Sequence, residues 1–352
     1  MAPSQSRFLV YDREVFLLAC TAGEPGFGTS GNTARPEDTD APPLGAIVWR
    51  EELGRDWACP EPYLACVEDY LALPGRLPGL GTPITEEELA DQFDALVSGE
   101  VEQLGAELTE AELGEVILDA LTPLDALLYD GLDERPLTAT VVSRVEYEGY
   151  TEEQIVLEDP YVGEVLAWLL VPDEAVDSAI LPLHGHDQWG DSVLDFMGGR
   201  DYPAAGYLTL NVTFRIDGAD EYEDEVARAL LLEGYTLMSI RIYEQVLARR
   251  ILADRFEDIE HVGIVGHSGS SAATNLAIRV HPPDAYVSDL KSDYDEVNGG
   301  VLAIDQALPA LHPYADRIND LEAAEVPVLT VPYGYEDEQD EIIAFFDSTF
   351  QR

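Results

Sequence analysis

Apolar positions follow two rhythms along this chain, and the change falls near residue 138. Before it, Leu89, Phe93 and Leu96, and then Leu113, Val116, Ile117 and Leu121, recur every three or four residues, the spacing that lines one face of a helix. Each set follows a capping box, Thr85-x-x-Glu88 and Thr109-x-x-Glu112, whose side chains satisfy backbone N–H groups that a first turn leaves open. Pro123 has no N–H to donate and is expected to end the second helix. Ahead of both, Ala46-Ile-Val-Trp49 reads as a short strand.

Beyond residue 138 the helical spacing gives way to apolar runs bounded by Gly, Asp and Pro. Residues 138–147, 154–157 and 163–171 read as three strands. Residues 178–183 form a buried strand ending in His184-Gly185-His186, and 206–212 supply another. A long helical region over 221–254 precedes strands at 261–266, 285–289 and 326–331, and residues 340–350 form a last helix. Strands alternating with helices predict an α/β protein, a mostly parallel sheet with helices on both faces. Ligands in such sheets sit outside the carboxyl ends of the strands. The expected organisation is a leader and flexible tether over 1–43, a mainly helical N-terminal extension over 44–137, and an α/β domain over 138–352.

The 261–266 strand runs into Gly266-His267-Ser268-Gly269-Ser270, a nucleophile elbow of the G-x-S-x-G type with Ser270 in place of the last glycine. A serine at so sharp a strand-to-helix turn needs small neighbours, because larger ones strike the adjoining strand or helix. Ala272, Ala273, Leu276 and Ala277 then give a small apolar helix face that can lie close on a sheet.

Charge changes the picture of the surface. Seventy acidic against 19 basic side chains give a formal net charge of -51, and Lys291 is the sole lysine. The carboxylates are spread along the whole chain, so the expected reading is adaptation to salt, where the Debye length falls to about 3 Å at 1 M. Nucleic acid is excluded as a partner, because a phosphate backbone would be repelled. No apolar run approaches a membrane-spanning length. At the amino terminus two readings stay open. Leu17-Leu18-Ala19-Cys20 resembles a bacterial lipobox, with a lipid anchor at Cys20 and a place in the cell envelope, whereas Asp12, Arg13 and Glu14 interrupt the apolar region and suit a cytoplasmic leader. Cys59 and Cys66 are spaced either for a disulfide or as two buried thiols. No cofactor or metal is expected: three cysteines lack a second ligand cluster, and His184, His186 and Asp187 on one turn lack an evident partner ligand.

The ordered set of a strand pair, a strand with His184-Gly185-His186, a strand with Arg215, a long helical region, the elbow strand and two further strands resembles the α/β-hydrolases, closest to the dienelactone hydrolase and acetyl-xylan-esterase-like branch. The resemblance covers residues 138 to 352. It implies an α/β-hydrolase fold and a serine esterase acting on a small carboxylic ester through an acyl-enzyme at Ser268. It also implies an oxyanion hole from the N–H of Gly269 and one from the Gly185-His186 turn, with His184 beside it. The acid is expected near the end of the last strand, at Asp337 or its neighbour Glu336, with Asp289 one strand earlier as the alternative.

The base is where this sequence departs from the family pattern. The family's histidine follows a final strand, and here no histidine follows His312. A serine hydroxyl is a poor nucleophile at neutral pH unless a base takes its proton. His261, at the start of the elbow strand, and His281, after the following helix, read as structural. His267 reads as packing, because neighbouring elbow residues point away from each other. His184, His186 and His312 are the remaining candidates, and His312 keeps the Ser-before-His order. The rival expectation is a non-catalytic relative that binds a ligand on the same scaffold.

Overall fold

The structure, a computed structural model, describes residues 47–55, 64–98, 102–121, 135, 137–185, 194–214, 220–289, 297–298, 301–302, 304–332, 335 and 338–352. The proposed lipid anchor at Cys20, Cys59, His186, Asp187, Arg215, Lys291, Glu336 and Asp337 lie outside these residues, as does the stretch holding Pro123.

Nine strands form one sheet: β1 (Ile47–Glu51), β2 (Leu137–Tyr147), β3 (Tyr150–Asp159), β4 (Gly163–Pro172), β5 (Ser178–Leu183), β6 (Leu208–Val212), β7 (His261–Gly266), β8 (Ala285–Asp289) and β11 (Val328–Val331). Their order is β1-β2-β3-β4-β6-β5-β7-β8-β11. β6, β5, β7, β8 and β11 run parallel, while β2, β3, β4 and β6 pair antiparallel in succession. The short strands β9 (Val297–Asn298) and β10 (Val301–Leu302) make a separate antiparallel pair. The tight β3–β4 turn is held by Asp159, whose Oδ1 accepts from the N–H of Tyr161 (2.8 Å) and Val162 (3.0 Å), and by Gly163 at φ 76°.

Helices cover both faces. On one lie α1 (Leu64–Leu71), α2 (Leu73–Arg76), α4 (Glu110–Ala120), α6 (Asp220–Leu232), α7 (Leu237–Arg255) and α8 (Gly269–Val280); on the other lie α5 (Asp201–Ala204) and α9 (Gln339–Thr349). Within the central strands, successive side chains go to opposite cores. Leu181, Ile264 and Tyr286 join the larger one, and Ile180, Val265 and Val287 the smaller. That two-sided burial is why these strands read as continuous apolar runs rather than alternating ones. Helix α3 (Glu86–Ser98) buries Leu89, Phe93 and Leu96 against Leu231 of α6 and Ala307 in a separate small cluster.

Both capping boxes form. Thr85 and Thr109 accept from the N–H of Glu88 and Glu112, and each glutamate accepts from the threonine N–H in return. These bonds to the charged form hold both carboxyls below the ordinary glutamate range. The long helical region after β6 is two helices. Gly234, at φ 79°, turns the chain, and the Thr236 side chain accepts from the Ser239 N–H (3.1 Å) to start α7.

Helix α7 is buried almost all round and carries charge inside. Arg241 pairs with Glu223, Glu244 accepts from the Tyr70 hydroxyl (2.8 Å), and Tyr243 donates to Asp159 (2.6 Å), which lies 3.5 Å from Arg135. Such groups are tolerated inside because each meets a partner there. No helix among the described residues is long and apolar enough to cross a membrane.

Candidate active site

β7 ends at Gly266 and α8 begins at Gly269, so only His267 and Ser268 separate strand from helix. Ser268 takes φ 52° and ψ -121°. Apart from Gln351, near the chain end, it is the sole non-glycine with positive φ among the described residues. An L-residue adopts that conformation at a cost on the order of 1–3 kcal/mol, met here by over-determined surroundings. The neighbours are small because they must be. A Cβ on Gly266 would lie 3.0 Å from Ser271 Oγ, and one on Gly185 would lie 2.6 Å from Ser268 Cβ and 2.8 Å from the His267 carbonyl oxygen. Ser270 does more than fit: its hydroxyl donates to the Leu183 carbonyl (2.6 Å) and accepts from the His267 N–H (2.9 Å), fastening the elbow to the end of β5.

The carboxyl end of β8 brings in a carboxylate. Gly266 on β7 pairs with Ser288 on β8, so Asp289 stands beside the elbow. Its Oδ2 accepts from His267 Nδ1 (2.7 Å) and lies 3.4 Å from the Ser268 N–H, and both side chains of the pair are buried. Oδ1 of Asp289 is buried too and has no hydrogen-bond partner among the described residues. The His267 ring is enclosed by Phe196, at 5.0 Å between centroids, and by the edge of Tyr335 at 5.7 Å. The Tyr335 hydroxyl donates to the Gly266 carbonyl, and burial, reinforced by the Asp289 charge, pushes that phenol well up. It therefore stays protonated as a donor.

His267 is thus more than packing. Its backbone follows the elbow rule, but its ring reaches sideways to the next strand. No local signal in the sequence records this pairing, which needs β7 and β8 to be neighbours in register.

The other histidines separate by their partners. His184 is fully buried; its Nε2 accepts from the Phe214 N–H (2.8 Å), so Nδ1 carries the proton toward the Gly185 carbonyl (3.0 Å) and the ring braces that turn. His261 stacks on Phe350 at 5.1 Å, at the opposite end of β7 from Ser268. His281 ends α8, and burial, then the nearby Arg249 charge, pulls it down to about 4. His312 opens a short turn tied to the 102–108 segment: its carbonyl accepts from Gln103 Nε2 (3.2 Å), and Leu104 donates to the Pro313 carbonyl (2.6 Å). Among the described residues no side chain hydrogen-bonds the Ser268 hydroxyl. The same holds for the Gly269 N–H, which leaves a donor unclaimed next to the serine. No group of His, Cys, Asp and Glu among the described residues is arranged to hold a metal ion.

No family model matches the chain, and no curated protein sequence matches it. Solved structures do. A Bacteroides fragilis protein assigned as an acetyl xylan esterase is similar with a TM-score of 0.50 and 14% identity, over 77% of this chain and 81% of its own. An acetyl xylan esterase from a Paenibacillus species gives 0.45 and 10%, over 72% of this chain and 98% of that one. A further acetyl xylan esterase, from a Thermoanaerobacterium species, gives 0.42 and 12%, over 76% and 100%.

Proposed function

On the α/β-hydrolase fold, which this chain has, we propose a serine hydrolase of the esterase type that acts on a small carboxylic ester. The observation that carries the proposal is the backbone of Ser268, a non-glycine residue at positive φ on a two-residue strand-to-helix turn, packed against glycine on one side. Strain of this kind persists where the surroundings enforce it, and it sets a hydroxyl at the carboxyl ends of the strands, where ligands bind.

In this reading Ser268 Oγ attacks the ester carbonyl as a base takes its proton. The N–H of Gly269 and one from the turn after Gly185 receive the charge that develops on the carbonyl oxygen. The alcohol leaves with the proton, and water then releases the acid from the acyl-enzyme. We assign the acid to Asp289, whose buried Oδ1 is an acceptor awaiting a donor, with Asp337 and Glu336 as alternatives. The base is assigned to His186 or His312, since His184 uses both ring nitrogens within its own turn and its neighbour strand.

The test is labelling with a fluorophosphonate probe in molar salt, native protein against Ser268→Ala. Labelling that the substitution abolishes supports an activated serine, and His186→Ala and His312→Ala then locate its base. A second reading, a ligand-binding protein on a hydrolase scaffold, is favoured by the absence of any described side chain bonded to the Ser268 hydroxyl. Folded protein that takes no label selects it.

A further inference from the structure

We infer that His267 is a positioning residue for the esterase reaction, holding Asp289 from the nucleophile elbow itself so that its second carboxylate oxygen is presented to the base. This rests on the reading of Ser268 and Asp289 above.

The argument begins with the carboxylate. Asp289 is a carboxyl group inside the protein, and burying one is costly unless donors meet it. Both donors that approach it come from consecutive elbow residues, the His267 ring at 2.7 Å and the Ser268 N–H at 3.4 Å, and both address the same oxygen, Oδ2. One oxygen is pinned, and the other, Oδ1, is buried without a partner among the described residues. A buried acceptor left open costs stability, so its retention at the strand ends where chemistry occurs points to a use.

The elbow also fixes the His267 ring. Phe196 and Tyr335 close on it, and the Ser270 hydroxyl holds its backbone N–H. Among the described residues, Tyr335, beyond β11, is the titratable group that faces the pair, and Tyr286, on the other face of β8, feels the Asp289 charge. Burial pushes both phenols up, and the Tyr335 hydroxyl donates a hydrogen bond to the Gly266 carbonyl. Within these contacts His267 is the ring that donates to Asp289. The nucleophile and the acid are thereby set by one turn of chain, and a shift of either moves the other.

The experiment measures hydrolysis of 4-nitrophenyl acetate in molar salt by the wild type, His267→Phe and His267→Gln. Phenylalanine keeps the ring contacts and removes the donor; glutamine keeps an N–H and removes the ring. We expect His267→Phe to fold, to lose about ten- to a hundredfold in kcat with KM unchanged, the rate equivalent of one hydrogen bond to a charged group. His267→Gln should recover most of the loss. Normal kcat in His267→Phe, equal impairment of both variants, or failure of His267→Phe to fold each overturns the inference, since the pair would then act on nothing, through the ring alone, or on folding. A wild type that neither hydrolyses nor takes the fluorophosphonate label sinks the functional reading, and this inference with it. A wild type that does both, with no response at position 267, sinks this inference alone.

Discussion

The two ends of α8 are both bracketed by a histidine, and they have been put to opposite uses. At the N-terminal end His267 lies against the carboxylate of Asp289, and the residue that follows is twisted to positive φ. At the C-terminal end His281 caps the helix in ordinary fashion, its N–H donating to the Ala277 carbonyl. Cations gather there instead. Arg249 donates to the carbonyls of His281 and Pro282, and Arg279 donates to those of Asn275, Arg317 and Asp320 and to Glu110. The helix dipole favours this division, an anion at the start and cations at the finish. One end holds the strained turn of the candidate nucleophile. The other is a fastening, joining α4 of the N-terminal segment to the body through Glu110. Structure and candidate chemistry are thus separated along a single helix.

That separation can be broken from either side. The largest effect expected at the fastening end is from Arg279→Met, which leaves Glu110 without one of its two arginine partners and removes the Arg279 donor from three carbonyls. Breaking a buried charge network of this kind costs about 3–5 kcal/mol, seen as a large fall in melting temperature. Fluorophosphonate labelling of the folded fraction should be unchanged; loss of labelling would mean that the two ends are coupled.

A smaller effect comes from His281. Its folded-state value of about 4 lies below the ordinary 6.5, so as pH falls through 6.5 the unfolded chain takes up a proton that the folded one refuses. Stability should therefore decline as pH drops from about 6.5 toward 4. Denaturant midpoints across that window should flatten in His281→Gln, and an unaltered pH dependence would remove the burial argument.

Thr109→Ala, at the start of α4, should cost about 1 kcal/mol through the lost cap. The Glu112 carboxyl is held low by the same box, so this contribution is present above the ordinary glutamate range and is lost as pH falls through the lowered value. A Tm series from neutral to acid pH, native against Thr109→Ala, checks it. Salt acts on neither end in particular. Reading the charge of -51 as adaptation to salt, we expect molar salt to raise the melting temperature of wild type and variants alike, whereas a flat response would sink that reading.

What could be read from the sequence follows from how each feature is encoded. Strands buried on both faces announce themselves as apolar runs, so β5 and β7 were legible with their starts, and β8 with both bounds. The capping boxes are local in sequence and were equally plain. The turn at Ser268 was visible because its requirement for small neighbours is also local. The break between α6 and α7 was not, because the apolar pattern runs on through Gly234 and Tyr235, and α7 buries Arg241 and Glu244 in the interior, which blurs the face a surface helix would show. The pairing of His267 with Asp289 lay further out of reach. It joins residues 22 apart in sequence, and depends on β7 and β8 being neighbours in register, which no local pattern records.

The glycine beside the serine has a consequence for descent. Position 185 admits no side chain while Ser268 and the His267 carbonyl stand where they do, and relief can come only by moving the elbow. The two sites are therefore inherited as one unit. A lineage that kept the serine would be held to glycine at 185 generation after generation, whereas one in which the elbow had relaxed would be released at both positions together. Among future sequences of this kind, alanine or larger at 185 would mark the point in a family tree where the serine lost its poise.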